Sequence, residues 1–245
     1  MIRTLSAALM ALAAALTPAA AACRDEVHEG VPYTLCEVAE GDDLRLFLTA
    51  PDGQPYGSFA RIEADLGARG ERLVFAMNAG MYHSDRRPVG LYVQDGRQVA
   101  PLVTRAGPGN FGMLPNGVFC IRLRGFAVIE SRAYAARAQD CRAASQSGPM
   151  LVIDGALHPR FLPDSLSVNI RNGVGVSRDG RRAVFAISNR PVNFHQFARL
   201  FRDHLGLPQA LYFDGAISRL YAPELGRSDW GRPMGPIVGL VAPGS

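Results

Sequence analysis

Apolar residues in this chain come mostly in short runs separated by Gly-containing turns, a pattern of strands rather than of long helices. Runs at 45–48 and 73–77 predict two strands with a polar, Gly-rich stretch between them. Runs at 90–93 and 150–153 close on Asp95-Gly96 and Asp154-Gly155. Runs at 118–123 and 126–130 flank Arg124-Gly125, and those at 173–176 and 183–187 flank Asp179-Gly180, so each set predicts a hairpin. One segment has a clear helical period: Phe194, Phe197, Ala198, Phe201 and Leu205 share a face. Asn193 and Gln196 have the spacing of a capping box, and Gly206 followed by Pro208 ends the helix. Further strands are expected at 210–213 and 237–241. The strand–helix–strand order over 183–213 is a crossover consistent with a mixed sheet. The expected fold class is therefore α/β (α+β): a single compact domain, strand-rich with Gly turns and a few packed helices.

The N-terminus departs from this pattern. Arg3, an apolar stretch over 5–16, Pro18 and small residues over 19–22 make a secretory signal peptide, which divides the chain into a leader, 1–22, and a domain, 23–245. Export to the periplasm or medium follows, with no transmembrane span in the mature form. Cleavage near Ala22 puts Cys23 close to a lipoprotein-type terminus, but Ala20 lacks the larger aliphatic side chain of a lipobox. An exported chain with 4 cysteines predicts two disulfides. Three connectivities are open; Cys23–Cys36 and Cys120–Cys141 are favoured because each closes a modest local loop.

Charge excludes several chemistries. All 26 basic side chains counted as Lys plus Arg are arginine, so no Schiff-base lysine, P-loop lysine or Ser–Lys dyad exists. The net charge of +4 is compatible with a phosphate-bearing substrate, and no basic run is long enough to argue for nucleic acid. No G-x-S-x-G elbow marks a serine hydrolase, and no H-x-x-x-H or carboxylate cluster marks a metal. No cofactor is expected, and the oligomeric state is not legible.

Candidate chemistry stands where apolar runs stop. Asn78 follows 73–77 and Asp214 follows 210–213, each beside glycines that let backbone approach a ligand. In order the chain carries N-A-G-M-Y (78–82), R-P-V-G-L (87–91), G-N-F-G-M-L-P-N-G-V-F (109–119), Q-S-G-P-M-L-V-I-D-G (146–155), R-N-G-V-G-V (171–176) and Y-F-D-G-A-I-S (212–218). This set resembles the phosphodiester glycosidase family, the domain of the enzyme that uncovers mannose 6-phosphate, and most nearly its exported bacterial branch. The resemblance spans about 44–241. It implies a hydrolase that cuts the anomeric bond of a sugar 1-phosphodiester, such as an N-acetylglucosamine 1-phosphodiester. The products are free sugar and a phosphomonoester. Asn78, Gly80, Arg171, Asp214 and Ser218 match family motif positions. Ala216 and Ile217 stand where the animal enzyme's motif has small residues, which narrows the backbone approach.

Such a reaction needs a cation for phosphate and a carboxylate for the developing oxocarbenium ion. Arg171 suits the first through its bidentate fork, and Asp214 the second as nucleophile or base. Asn78 completes the catalytic candidates. Gly80, Asn116, Gln146, Ser147, Gly215 and Ser218 are candidates for binding substrate. Asp85 and Glu130 are candidates for a second carboxylate. His83 reads as a proton carrier or a solvent-facing loop residue, and Trp230 as a sugar-stacking or a packing residue. The partner expected is a phosphorylated sugar or envelope glycan. The alternative function is a module that binds envelope glycan or phosphoglycan without turnover.

Overall fold

A computed structural model describes residues 23–137 and 139–244, so the predicted leader, 1–22, lies outside the described residues. In chain order the elements begin with β1 (Cys23–His28), β2 (Val31–Ala39), β3 (Asp43–Phe47), α1 (Phe59–Gly67), β4 (Glu71–Asn78), β5 (Tyr92–Gln94) and β6 (Arg97–Ala100). Then come β7 (Gly117–Ile121), β8 (Phe126–Glu130), α2 (Ser131–Ala135), β9 (Ala143–Ser147), β10 (Met150–Ile153) and β11 (Ala156–Leu157). The rest are β12 (Asn172–Val176), β13 (Arg182–Ser188), α3 (Phe194–Arg199), β14 (Gln209–Asp214), β15 (Leu220–Ala222), β16 (Arg227–Ser228) and β17 (Ile237–Pro243).

These strands form three sheets. A seven-stranded sheet has the order β1-β2-β13-β12-β14-β10-β11, and two five-stranded sheets have the orders β16-β15-β4-β17-β3 and β6-β5-β9-β7-β8. Every strand pairing among the described residues is antiparallel. The hairpins β7–β8 and β12–β13 turn where Arg124-Gly125 and Asp179-Gly180 predict them. β13 and β14 run parallel to each other, but β12 lies between them and bonds antiparallel to both. The crossover through α3 therefore passes over one strand.

The capping box is present. The Asn193 carboxamide oxygen accepts from the Gln196 amide at 2.9 Å, and Gln196 Oε1 accepts from the Asn193 amide at 3.1 Å. α3 continues into a π-helical turn over Leu200–His204 and stops before Gly206, whose φ is +64°. The stretch between β3 and β4 is less polar in structure than in sequence. It contains α1, with Ser58 Oγ accepting from Arg61 N and with Phe59, Ile62 and Leu66 buried on one face. That i, i+3, i+7 spacing is present in the sequence, masked by the charged residues between.

All three sheets share one core. Phe75 of β4 lies 5.4 Å from Phe185 of β13, and Phe119 of β7 meets Phe185 edge-on at 5.5 Å. Phe213 of β14 packs at 6.3 Å from Phe119 and 6.4 Å from Phe185. A second cluster fills the space between α3 and the other face of the large sheet, with Phe197, Phe201, Leu151 and Tyr212 buried.

Both expected disulfides are present. Cys23 sits opposite Cys36 across the β1–β2 ladder, and Cys120 of β7 bonds Cys141 just before β9. With its sulfur in that bridge, Cys23 cannot carry a thioether-linked lipid. Among the described residues no helix is long and apolar enough to cross a membrane. The native chain is expected to show no free thiol and no diacylglyceryl mass. Replacing Cys120 and Cys141 together by Ser should cost roughly 2–4 kcal/mol in denaturant unfolding, as for a loop of this size. Four free thiols in native protein would overturn both bridges.

Candidate active site

The site forms where β14 stops. Asn172 pairs with Asp214 while Gly173 pairs with Tyr212, so Phe213 is an extra residue and β14 is bulged there. A bulge leaves a ladder group unpaired and re-aims the residues that follow. The Phe213 carbonyl is satisfied from another sheet, by Ser147 Oγ at 2.8 Å. Beyond the bulge, Asp214 folds back on its own turn. Its Oδ1 accepts from the amides of Gly215 (2.6 Å), Ala216 (2.8 Å) and Ile217 (3.4 Å). Oδ2 takes none of these bonds. Asp214 is 8% exposed and is the only acid among the described buried residues. Burial raises its carboxyl pKa and outweighs the three amide bonds, which pull it down.

Arg171, directly before β12, is 0% exposed and is the only arginine among the described buried residues. Its Nε donates to Val192 O at 2.9 Å, Nη1 to the Tyr212 hydroxyl at 3.2 Å and Nη2 to Ser167 O at 2.8 Å. The guanidinium carbon lies 3.7 Å over the Phe194 ring. Phe194 in turn stacks on Phe161 at 5.0 Å, and Phe161 on His158 at 4.7 Å. Arg171 is in no ion pair among the described residues. Burial lowers its pKa. The bidentate fork that the sequence assigns to phosphate is closed here on a carbonyl and a phenol. Tyr212 is hydrogen-bonded to Arg171 and lies within reach of the Asp214 charge. Burial raises its pKa first, Arg171 lowers it, and the Asp214 charge raises it again.

A clasp of amides holds the neighbouring strand ends. Asn78 Nδ2 donates to Asn172 Oδ1 at 3.1 Å, and Asn172 Nδ2 donates to Asn78 O at 2.8 Å. Asn78 Oδ1 accepts from the Arg219 amide at 3.0 Å. Ser218 Oγ lies 2.8 Å from Asp214 O and 2.9 Å from Ile170 O, which closes the turn onto the strand before β12. Asn78 thus orients the Asp214–Arg219 turn from beneath. Gly80 has φ +152°, and a methyl group there would stand 2.9 Å from Ser145 Oγ. A methyl group on Gly215 would overlap the Tyr212 hydroxyl.

Three expected substrate contacts are braces instead. Gln146 Oε1 accepts from the amides of Leu91 and Val103, and its Nε2 donates to Val103 O. Asn116 Nδ2 donates to Phe111 O, and its Oδ1 accepts from Ser131 Oγ. With Ser147 on the bulge carbonyl, all three are buried and their polar atoms are engaged inside the protein. Neither second-carboxylate candidate joins the site. Glu130 caps α2, accepting from the amides of Arg132 and Ala133. Asp85 is exposed and paired with Arg87, whose hydrogen bond holds its pKa below the usual range. His83 is exposed on the same loop. No group of three or more His, Cys, Asp or Glu suited to a metal occurs among the described residues. Clefts beside Arg45 and Arg142, and beside Arg122 and Gln209, contain none of the site side chains.

Five residues that the sequence did not single out join the site: Tyr212, Asn172, Phe194, Tyr82 and Arg219. Tyr212 and Asn172 stand inside the quoted motifs, but each flanks a more conspicuous charge. Burial raises the pKa of Tyr82, with the Asp214 charge next, and Arg86 and Arg219 oppose it.

A protein-family model described as phosphodiester glycosidase matches residues 71–239. The chain belongs to the phosphodiester glycosidase family. Escherichia coli YigE, a protein of uncharacterized function, is 35% identical over 178 residues, 73% of this chain and 69% of YigE. The catalytic domain of zebrafish N-acetylglucosamine-1-phosphodiester alpha-N-acetylglucosaminidase, solved auto-inhibited by its pro-peptide, superposes with a TM-score of 0.58 at 15% identity. It covers 89% of this chain and 81% of that one. A Burkholderia pseudomallei protein whose name describes it as exported gives 0.56 at 12% identity, over 86% and 74% of the two chains. These two likenesses establish a shared fold. Within the family the departure at Ala216 and Ile217 has a structural outcome: Ala216 is exposed, and Ile217 packs on the cluster of Phe59, Ile62 and Met234. The amides of Gly215, Ala216 and Ile217 are taken by Asp214 itself.

Two stability outcomes follow from this geometry. A raised carboxyl pKa means stability that is fully present below the unfolded value and lost as pH rises through the folded one. Asp214→Asn, which keeps the Oδ1 acceptor, should therefore gain thermal stability relative to wild type as pH goes from 4 to 8. A difference independent of pH would show that burial does not shift this carboxyl. Gly215→Ala should cost roughly 1–3 kcal/mol by overpacking and distinctly less in a Tyr212→Phe background. Equal costs in a double-mutant cycle would remove the clash as the cause.

Proposed function

We propose that this chain is an exported hydrolase that cleaves the glycosidic bond of a sugar 1-phosphodiester, releasing free sugar and a phosphomonoester. Membership of the family supports the reaction class, and the two disulfides support an oxidising compartment. The observation that carries the reading is the pairing of the only buried acid with the only buried arginine among the described residues. They stand at one strand end, where Asn172, next to Arg171, pairs with Asp214.

The chemistry divides between the two. Asp214 Oδ1 is fixed by three amides, so Oδ2 faces the anomeric carbon with little reorganisation. It stabilises the positive charge that develops there and takes the proton of the attacking water as the C–O bond breaks. The bonding electrons leave with the phosphate oxygen. A phosphate leaving group needs no strong general acid, which fits a site with a single buried carboxylate. Arg171 donates to the Tyr212 hydroxyl, which is buried beneath Gly215. The guanidinium acts on the phosphate through its field in a low-dielectric setting, and Arg219 provides a cation nearer solvent. Asn78 is a positioning residue through its bond to the Arg219 amide.

Purified protein should release reducing sugar from a glycosyl 1-phosphodiester well beyond one equivalent; stoichiometric binding without release would instead mark a glycan-binding module. Asp214→Asn should lower turnover by on the order of 10²-fold or more while remaining folded. The acid limb of kcat should lie above the ordinary Asp value of 3.8, in the direction burial dictates. Wild-type turnover in folded Asp214→Asn would remove this carboxylate from the mechanism.

A further inference from the structure

The turn that carries Asp214 is flanked by two exposed, apolar segments. On one side, 162–170 has no regular secondary structure, and its Leu162, Leu166 and Val168 are exposed, Leu166 to 94%. The same segment lies directly against the site. Ser167 O accepts from Arg171, Ile170 O from Ser218, and the Asn169 side chain stands within 3.3 Å of where a methyl on Gly215 would be. On the other side, Trp230 is 92% exposed. Its neighbour Asp229 is bonded to Leu220 in both directions, and Gly231 packs against the Arg219 guanidinium.

Single exposed apolar residues need no explanation. Their distribution does here. Of the eight large hydrophobics exposed among the described residues, four are on these two segments. Two cations stand beside the Trp230 segment. Arg219 and Arg232 are in no ion pair among the described residues, and Arg219 Nη1 is held by the Arg232 carbonyl at 2.6 Å. An anion bordered by apolar surface is the complement of this arrangement.

We infer that the aglycone of the substrate is a lipid, so that the chain acts on lipid-linked glycosyl phosphodiesters. The phosphate sits beside Arg219, and the hydrocarbon lies along Trp230 and Leu166. This rests on the phosphodiester reading for its polar end and on the exposed surface for its apolar end. Burying several methylenes against such a rim gives at least roughly tenfold in affinity.

The test uses two diesters of N-acetylglucosamine 1-phosphate, methyl and dodecyl, the second kept below its micelle concentration. Trp230 is the only tryptophan in the chain, so its emission reads contact with the hydrocarbon directly. The dodecyl diester should shift that emission to the blue and bind at least roughly tenfold more tightly than the methyl diester. Leu166→Ser, at a position too exposed to disturb folding, should cut the difference several-fold and leave the methyl diester unaffected. Hydrolysis of both diesters with equal kcat/KM and an unmoved emission would overturn the lipid inference while the hydrolase reading stands. Tight dodecyl binding with the shift but no release of sugar would do the reverse. An emission shift with phosphatidylglycerol vesicles, without discrimination between the two diesters, would overturn it in favour of docking on a membrane surface.

Discussion

Three sheets can share one core only if each sends a large side chain to a common point, and here Phe75, Phe119 and Phe185 meet there. Phe213 joins them from β14, the strand that ends in the site. Interiors pack at near-crystalline density, so this ring cannot move without cost to all three sheets. Drawing Phe213 inward coincides with the bulge in the β12–β14 ladder, and the residue after it is Asp214. The position of the carboxylate is thus set by hydrophobic packing one residue away. The hydroxyl of Ser147 completes the arrangement by pairing the carbonyl that the bulge leaves over.

Against this apolar constraint the protein maintains two buried charges that do not touch. Removing an ion from water costs several kcal/mol even after relaxation, and a direct ion pair would recover part of that. Arg171 instead has three hydrogen bonds to neutral oxygens and the face of Phe194, and Asp214 has three backbone amides. Each charge is solvated by fixed dipoles. That arrangement leaves the field of each charge uncancelled, where a salt bridge would neutralise both. It also explains why the carboxyl is driven toward its protonated form despite three donors, because burial acts on a charge with no cation in contact.

The polar residues around the site fall into two layers with different physical tasks. Tyr82, Ser218 and Arg219 are half-buried around the buried Asp214. Gln146, Asn116, Ser131 and Ser147 lie inside and satisfy loop and bulge groups that would otherwise be buried without partners. Their presence in the same sequence motifs as the outer layer reflects adjacency along the chain: a strand end that supplies a functional side chain also needs its turn held in place.

Short apolar runs and Gly turns marked many of the strands, because a strand covered on both faces buries nearly every side chain, as β7, β12 and β13 do. The capping box at Asn193 and both local disulfides were legible because each is a contact over few residues. The order of motifs located the family, and Asp214 stood out as a charge directly after an apolar run. Arg171 was legible as a residue and not as a role. Nothing in R-N-G-V-G-V tells that Val192 and Ser167 present carbonyls to its guanidinium or that Phe194 lies beneath it. The same holds for Gln146 and Asn116, which look in sequence like ligands for a sugar and are in structure ligands for backbone. The helix α1 was hidden because its apolar spacing is interleaved with charge. Which polar groups face water and which face protein is decided by contacts between residues tens of positions apart, as when β4 brings Asn78 to Asn172. Sequence periodicity has no access to those distances; only the packing of the three sheets sets them.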